Sequence, residues 1–293
     1  MFGSLYSLLR TMFIASHINA RFTLRGPALS YSHPVEDQMM DSLRRPGIRV
    51  HWGVYMSGKS SAVKNAGFRL QEAEGRLVIV LDGLDFSFVR EQGARAWLCH
   101  SVLGAYNDET EDISKKFNRP TSLVIDHFEY FYMKPKYHAL LDELLVFLRE
   151  LNVGVLLIVS SWERAMELRQ AGCELLGDAG CGRWTEEHLR EFGNNKPEQE
   201  RRALSLDEES MRLAVLSGSP LYLVSELNDF SAPRAVIQDV EWANGIKALE
   251  TGVVETSGFF PDKNGKFHWT IPPQQKQQPE SVTACMTTSH SVQ

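Results

Sequence analysis

The sequence predicts a three-layer α/β fold, in which helices cover both faces of a parallel sheet. Short runs of apolar residues, each of strand length, alternate with longer segments that have helical periodicity. Continuous apolar strands of this kind are buried on both faces, as they are in parallel sheets. Polar residues follow the runs, and ligands of parallel sheets bind beyond the carboxyl ends of the strands. We therefore expect an α/β core over residues 36–184, with its site at that edge.

Strands and helices of the core are predicted to alternate along the chain. The predicted strands are residues 48–52, 77–81, 122–125 and 155–159. The predicted helices are residues 59–70, 94–103 and 140–148. Leucines that recur every three or four residues mark the last of these helices.

A glycine-containing loop joins the first predicted strand to the first of these helices. Residues 53–60 read Gly-Val-Tyr-Met-Ser-Gly-Lys-Ser and fit the pattern G-x-x-x-x-G-K-[ST] at every fixed position. Such a loop turns backbone N–H groups onto phosphate oxygens, next to the positive end of a helix. Lys59 would reach the β- and γ-phosphates, and the Ser60 hydroxyl would coordinate Mg²⁺. The alternative is a glycine turn with a solvated lysine.

This motif predicts a P-loop NTPase core that binds ATP and ADP with Mg²⁺. The predicted nucleotide-binding residues of the loop are Gly53, Ser57, Gly58, Lys59, Ser60 and Ser61. Adenine is favoured over guanine because the sequence has no N-K-x-D base-reading motif.

A P-loop also needs an acidic residue for the metal. Asp126 closes the third apolar strand, in the Walker B pattern, and would bind Mg²⁺ together with Ser60. Glu129 follows and would polarise the attacking water. The alternative metal acid is Asp82, which ends the second strand. We favour Asp126 because we expect the metal acid at the end of the strand beside the loop strand.

Ser161 follows the fourth strand and is predicted to act in catalysis as a polar sensor of the γ-phosphate. A serine after a strand is common, so its alternative role is purely local.

Residues 185–271 are predicted to form a small helical lid and a hairpin. Helix starts are marked by Thr185 and by the segment 206–209, each followed by acidic residues. Aromatic residues on both sides of a turn at 262–265 predict the hairpin. Residues 272–293 are rich in Gln, Ser and Thr and are predicted to be disordered.

Taken in order over about residues 49–227, these motifs resemble the AAA+ and STAND classes of P-loop ATPases, including archaeal-type and NB-ARC-like members. Residues 216–223 look like the G-x-P element of STAND proteins. This resemblance implies that Pro220 lies against the nucleotide and reports ADP or ATP to the lid. Leu221 stands where many AAA+ proteins carry a sensor arginine, which favours the STAND type. The hairpin resembles a remnant of a winged helix.

Composition limits the other function classes. A net charge of −6 argues against general nucleic-acid binding, and four scattered cysteines favour a reducing, intracellular compartment, cytoplasmic or nuclear. No apolar stretch is long enough for a membrane span. Residues 1–35 contain no acidic residue, so they are predicted to be either a helix that packs on the domain or a mitochondrial transit peptide.

Three functions remain open at this point. The first is an ATPase or ATP-dependent switch, with a protein partner. The second is a nucleotide-binding interaction module without significant turnover. The third is a small-molecule or nucleotide kinase, which would need an acceptor pocket and further arginines. Glu129 separates the first from the second, because hydrolysis needs a polarising acid near the γ-phosphate and binding does not.

Overall fold

The computed structural model describes most of the chain between residues 22 and 270. The described residues are 22–24, 32–83, 93–103, 117–132, 138–196, 198–202, 204–224, 231–252, 258–261 and 267–270. By its internal contacts the chain divides into two compact units, Met1–Val253 and Val254–Gln293. The predictions for most of segment 1–35, for the turn at 262–265 and for the tail 272–293 lie outside the described residues.

A five-stranded parallel sheet forms the centre of the first unit, and this confirms the predicted fold class. The strands are β1 (Gly47–Trp52), β2 (Leu77–Asp82), β3 (Thr121–Asp126), β4 (Gly154–Val159) and β5 (Glu174–Leu175). Their order across the sheet is β2-β3-β4-β1-β5, and every neighbouring pair is parallel. The short strand β5 was not predicted, because two residues give no periodic signal.

The strand order corrects one expectation about Asp126. Strand β4 lies between β3 and β1, so the strand that ends at Asp126 is not the direct neighbour of the strand that precedes the loop. The strand that ends at Asp82 is one position farther away. Asp126 is therefore still the nearer of the two acids along the carboxyl edge of the sheet.

Helices lie on both faces of the sheet. They are α1 (Glu36–Arg44), α2 (Lys59–Glu74), α3 (Ala94–Leu103), a 3₁₀ helix (Phe128–Tyr132), α4 (His138–Glu150) and α5 (Trp162–Gln170). On one face α1 and α2 pack on alternate strand residues, including Val78, Val124 and Leu156. On the other face α3, α4 and α5 pack on the residues between them, such as Ile79 and Leu157. This alternation produces the three layers that the continuous apolar strands predict.

The helical region after the core contains α6 (Glu186–Asn194), α7 (Glu198–Arg201), α8 (Glu208–Ser217), a 3₁₀ helix (Pro220–Leu223) and α9 (Ser231–Thr251). Two of the predicted helix starts are confirmed: Thr185 caps α6 and Asp207 caps α8. Gly218 ends α8 with a φ of 63°, a left-handed conformation that glycine adopts without strain. Helix α9, with 21 residues, was not predicted.

Helix α9 ties the helical region to the core. Trp242 is fully buried, and its ring meets that of Trp52 edge-on with centroids 4.8 Å apart. A side chain at Gly245 would collide with Trp52, so glycine lets the helix lie directly on the end of β1. Helix α9 is thereby fixed beside the loop that follows β1.

The second unit contains an antiparallel pair, β6 (Gly258–Pro261) and β7 (Phe267–Thr270). Phe259 pairs with Trp269, so the predicted hairpin strands are confirmed. None of the helices in the described part of the chain is both long and apolar enough for a membrane span.

Candidate phosphate-binding site

The loop between β1 and α2 has a backbone that only certain residues can adopt. Gly58 has a φ of 93°, and Met56 has a φ of 63°, which is uncommon for a residue with a side chain. Within the loop, the Ser57 N–H donates to the Val54 carbonyl at 3.2 Å. Backbone strain of this kind is retained where the surroundings hold the loop in place.

Lys59 is buried at the base of this loop, which contradicts the alternative of a solvated lysine. Its side chain is 6% exposed, and its Nζ donates to the carbonyls of Gly53 and Val54 at 2.7 and 2.8 Å. Burial lowers the pKa of Lys59 to about 8, although the charges of Glu129, Asp126 and Glu241 act to raise it. The loop is exposed only at its tip, at Tyr55 and Met56.

The next three carbonyls of the loop accept hydrogen bonds from distant parts of the chain. Gln238 Nε2, on α9, donates to the Tyr55 carbonyl at 2.8 Å. Ser219 Oγ donates to the Met56 carbonyl at 2.6 Å.

The Ser57 carbonyl has two donors, Trp184 Nε1 at 2.8 Å and His33 Nε2 at 2.9 Å. Burial lowers the pKa of His33 to about 4, so this imidazole is neutral at physiological pH. With the two bonds from Lys59, every carbonyl from residue 53 to residue 57 has a donor. None of the donors other than Lys59 was predicted, because nothing in the local sequence links them to the loop.

The two predicted metal ligands, Ser60 and Asp126, line one cavity of about 460 Å³. Asp126 is 7% exposed, and its Oδ1 accepts the N–H of His127 at 2.9 Å. In the described residues, no group of three His, Cys, Asp or Glu side chains forms a metal site by itself. The wall of the cavity thus contains a hydroxyl and a carboxylate, to which a substrate phosphate would have to add further ligands.

Glu129 lies in the 3₁₀ helix that follows β3, so it is placed just beyond Asp126. Its Oε2 is buried and accepts no hydrogen bond from any described residue. Glu129 is also the acid with the largest charge effect on Lys59. A buried carboxylate oxygen without a partner is costly, and a bound water or ligand would satisfy it.

Asp82 and His127 line the same cavity, and His127 was not predicted. His127 Nδ1 lies 3.1 Å from Asp82 Oδ1, and Asp82 pairs with Asp126 across the sheet. His127 has a φ of 51°, and the backbone of Gly83 approaches its carbonyl so closely that a Cβ would not fit. The alternative metal acid, Asp82, is therefore part of the same cavity, where it contacts the residue next to Asp126.

The remaining predicted site residues have local roles that the structure makes visible. Ser161 caps α5: its Oγ accepts the Arg164 N–H at 3.4 Å and donates to Glu163 at 2.5 Å. Ser61 is exposed on the first turn of α2. Pro220 is half-buried and begins the 3₁₀ helix, directly after the Ser219 that bonds the loop. The catalytic role of Ser161 and the nucleotide contacts of Ser61 and Pro220 stay predictions.

Comparison with known proteins gives only distant likenesses. No family model and no curated protein matches the chain. Among solved structures, AMPPCP-bound DnaA from Aquifex aeolicus is similar at 14% identity with a TM-score of 0.40, over 74% of this chain and 62% of that one. A Walker-type ATPase of Pyrococcus abyssi is similar at 17% identity with a TM-score of 0.39, over 74% of this chain and 73% of that one.

C. elegans PCH-2 is similar at 16% identity with a TM-score of 0.33, over 73% of this chain and 56% of that one. The chain thus spans less than two thirds of the DnaA and PCH-2 chains. Likenesses of this strength do not assign a function.

Proposed function

We propose that this protein binds ATP with Mg²⁺ at the loop Gly53–Ser60. The observation that carries the proposal is that each loop carbonyl from residue 53 to residue 57 accepts a hydrogen bond from the protein. In a trans peptide group the C=O of one residue and the N–H of the next point in opposite directions. A hydrogen bond that holds the carbonyl therefore also fixes the direction of the next N–H. Successive N–H groups that face one space bind anions, and α2 begins at the same place. The Ser57 N–H is not one of these donors, because it bonds to the Val54 carbonyl.

Lys59 adds the positive charge that a phosphate requires. Its Nζ is already held at the loop by two carbonyls, so it needs little reorganisation to reach a phosphate. Its lowered pKa shows that a charged Nζ is poorly solvated there, and an anionic oxygen would relieve that penalty.

Ser60 and Asp126 fit a magnesium ion because they share one cavity at the carboxyl edge of the sheet. Mg²⁺ binds through one or two protein oxygens together with substrate phosphates and waters, and it does not need a complete cage of protein ligands. When bound, the ion would neutralise phosphate charge. In this assignment Ser60 and Asp126 hold the ion.

We further propose that the bound nucleotide is hydrolysed and that Glu129 orients the attacking water. The support is that Oε2 of Glu129 is buried and accepts no hydrogen bond from the described residues, and that Glu129 has the largest charge effect of the acids on Lys59. A carboxylate oxygen in this state can accept a hydrogen bond from water and take its proton. A nucleotide-binding module without turnover remains the second candidate.

Binding of ATP, ADP and GTP to the full chain, each with and without Mg²⁺, tests the proposal by isothermal titration calorimetry. We expect Mg²⁺-dependent binding of ATP and ADP, and its loss in Lys59→Ala. Lys247→Ala removes an exposed lysine of α9 and is the control for the loss of one positive charge away from the loop. Equal ATP affinity of folded Lys59→Ala and wild type would refute the assignment of the loop. Wild type that binds ATP without turning it over would favour the binding module.

A further inference from the structure

The phosphate loop is connected to the helical region by a relay of two side chains. Gln238, on α9, is 4% exposed and donates through Nε2 to the Tyr55 carbonyl at 2.8 Å. Its Oε1 lies 2.9 Å from the hydroxyl of Tyr222, in the 3₁₀ helix. Gln238 therefore joins two elements of the helical region to the tip of the loop.

The chemistry of the two partners fixes the orientation of the Gln238 amide. A backbone carbonyl only accepts hydrogen bonds, so the NH₂ group must face Tyr55 and the amide oxygen must face Tyr222. The Tyr222 hydroxyl then donates to that oxygen. Burial raises the pKa of Tyr222, which is consistent with a neutral hydroxyl that keeps its proton.

We infer that Gln238, held in place by Tyr222, is a positioning residue that sets the affinity of the loop for phosphate. This inference rests on the proposed phosphate-binding function. The Tyr55 carbonyl is the first loop carbonyl that Lys59 does not hold, and it precedes Met56, whose backbone is in the left-handed region. Without its donor, this peptide group gains freedom to turn its carbonyl toward the anion, where the C=O dipole repels phosphate.

Tyr222→Phe, Gln238→Met and the double variant test the relay, because Tyr222→Phe changes neither the loop nor any residue assigned to phosphate. The probes are Mg²⁺-ATP and inorganic tripolyphosphate, which presents phosphates without a base or sugar. Each single variant should weaken both probes by the same factor, about 5- to 10-fold, the value of one neutral hydrogen bond. Ser210→Ala, which removes another buried hydroxyl of the helical region, should leave both affinities unchanged.

The double variant separates positioning from general destabilisation. If Tyr222 acts only through Gln238, the double variant loses no more affinity than Gln238→Met alone. Losses that multiply, or a loss for ATP without a loss for tripolyphosphate, would overturn the inference. The second result would indicate a contact with the base or sugar.

Hydrogen exchange in the ligand-free protein tests the positioning role of Gln238 independently of whether the loop binds phosphate. The Ser57 N–H, which bonds within the loop, should exchange about 5-fold faster or more in Tyr222→Phe and Gln238→Met. Unchanged exchange would overturn the positioning role even if ATP binds. Faster exchange in a protein whose wild type binds neither probe would overturn the phosphate function and leave only the mechanical link.

Discussion

Binding of a nucleotide to the loop should draw a proton onto Lys59. In the free protein, burial holds the pKa of Lys59 at about 8. A phosphate oxygen beside Nζ favours the charged ammonium and should return the pKa to the ordinary range of a lysine or above it. At pH 8 the free lysine is half protonated and the bound one is fully protonated, so each nucleotide should take up roughly half a proton.

The rise in the pKa of Lys59 on binding determines how nucleotide affinity depends on pH. Binding that takes up a proton weakens as the pH rises through the pKa of the free group. Affinity should therefore change little between pH 7 and pH 7.5 and be about tenfold lower at pH 9 than at pH 7. The imidazole of His33, whose pKa is about 4, contributes nothing in this range.

Calorimetric titration of Mg²⁺-ADP at pH 8 in three buffers of different ionisation enthalpy measures the uptake directly. The slope of the observed enthalpy against the buffer ionisation enthalpy equals the number of protons taken up. Phosphate groups titrate near pH 6 and are already deprotonated. Lys59→Arg is the matched control, because a guanidinium keeps its charge at every pH used. A zero slope for wild type, or the same slope in Lys59→Arg, would refute the argument.

Three further predictions test other parts of the site. Asp126→Asn should weaken Mg²⁺-dependent ATP binding about tenfold or more, whereas Asp82→Asn should leave it nearly unchanged; the reverse result in calorimetry would make Asp82 the metal acid. Glu129→Gln should slow single-turnover hydrolysis of radiolabelled ATP by about 10²- to 10⁴-fold without weakening ATP binding, and a fully active variant would remove Glu129 from catalysis. Gly58→Ala should lower the Tm and abolish nucleotide binding, because φ is 93° and the new Cβ would lie 3.2 Å from the His33 ring. Gly75→Ala is the control: φ is 63° and the space around the new Cβ is open, so only the Tm should fall.

The core could be predicted from the sequence because its signals are local. Strands β1 to β4 are buried on both faces; β2, β3 and β4 contain unbroken apolar runs, whereas in β1 the apolar residues alternate with the buried Arg49 and His51. The cap at Thr185 and the glycine at position 58 are local as well, since each satisfies a requirement of the backbone next to it.

Helix α9 was missed because its buried face is made of unusual residues. Ala235, Gln238, Trp242 and Ala248 lie along that face and are small, polar or aromatic, and Leu249 is the one large aliphatic side chain among the buried residues described in this helix. Gly245 lies on the same face, where it makes room for Trp52. Periodicity of large apolar residues, the usual signal of an amphipathic helix, is therefore weak in this segment.

The supports of the loop could not be predicted for a different reason. Gln238, Ser219 and Trp184 reach carbonyls that lie 183, 163 and 127 positions away along the chain. No short-range pattern in the sequence marks any of these residues as a partner of the loop. Only the packing of the helical region on the end of β1 brings them together, so a motif search finds the loop and not the groups that shape it.

The charges around Lys59 explain why the proposed ligand needs a divalent cation. Among the described residues, Glu129, Asp126 and Glu241 all act on Lys59, so three acids stand against one lysine. A bare triphosphate would meet the attraction of one ammonium group and the loop N–H groups, together with the repulsion of these carboxylates. Asp126 would hold a Mg²⁺ ion together with Ser60, and the charge of that ion would offset the repulsion and turn a repelling acid into a ligand. Of the two remaining acids, Glu129 would be the one to accept a proton from water, because its buried Oε2 accepts no hydrogen bond from the described residues.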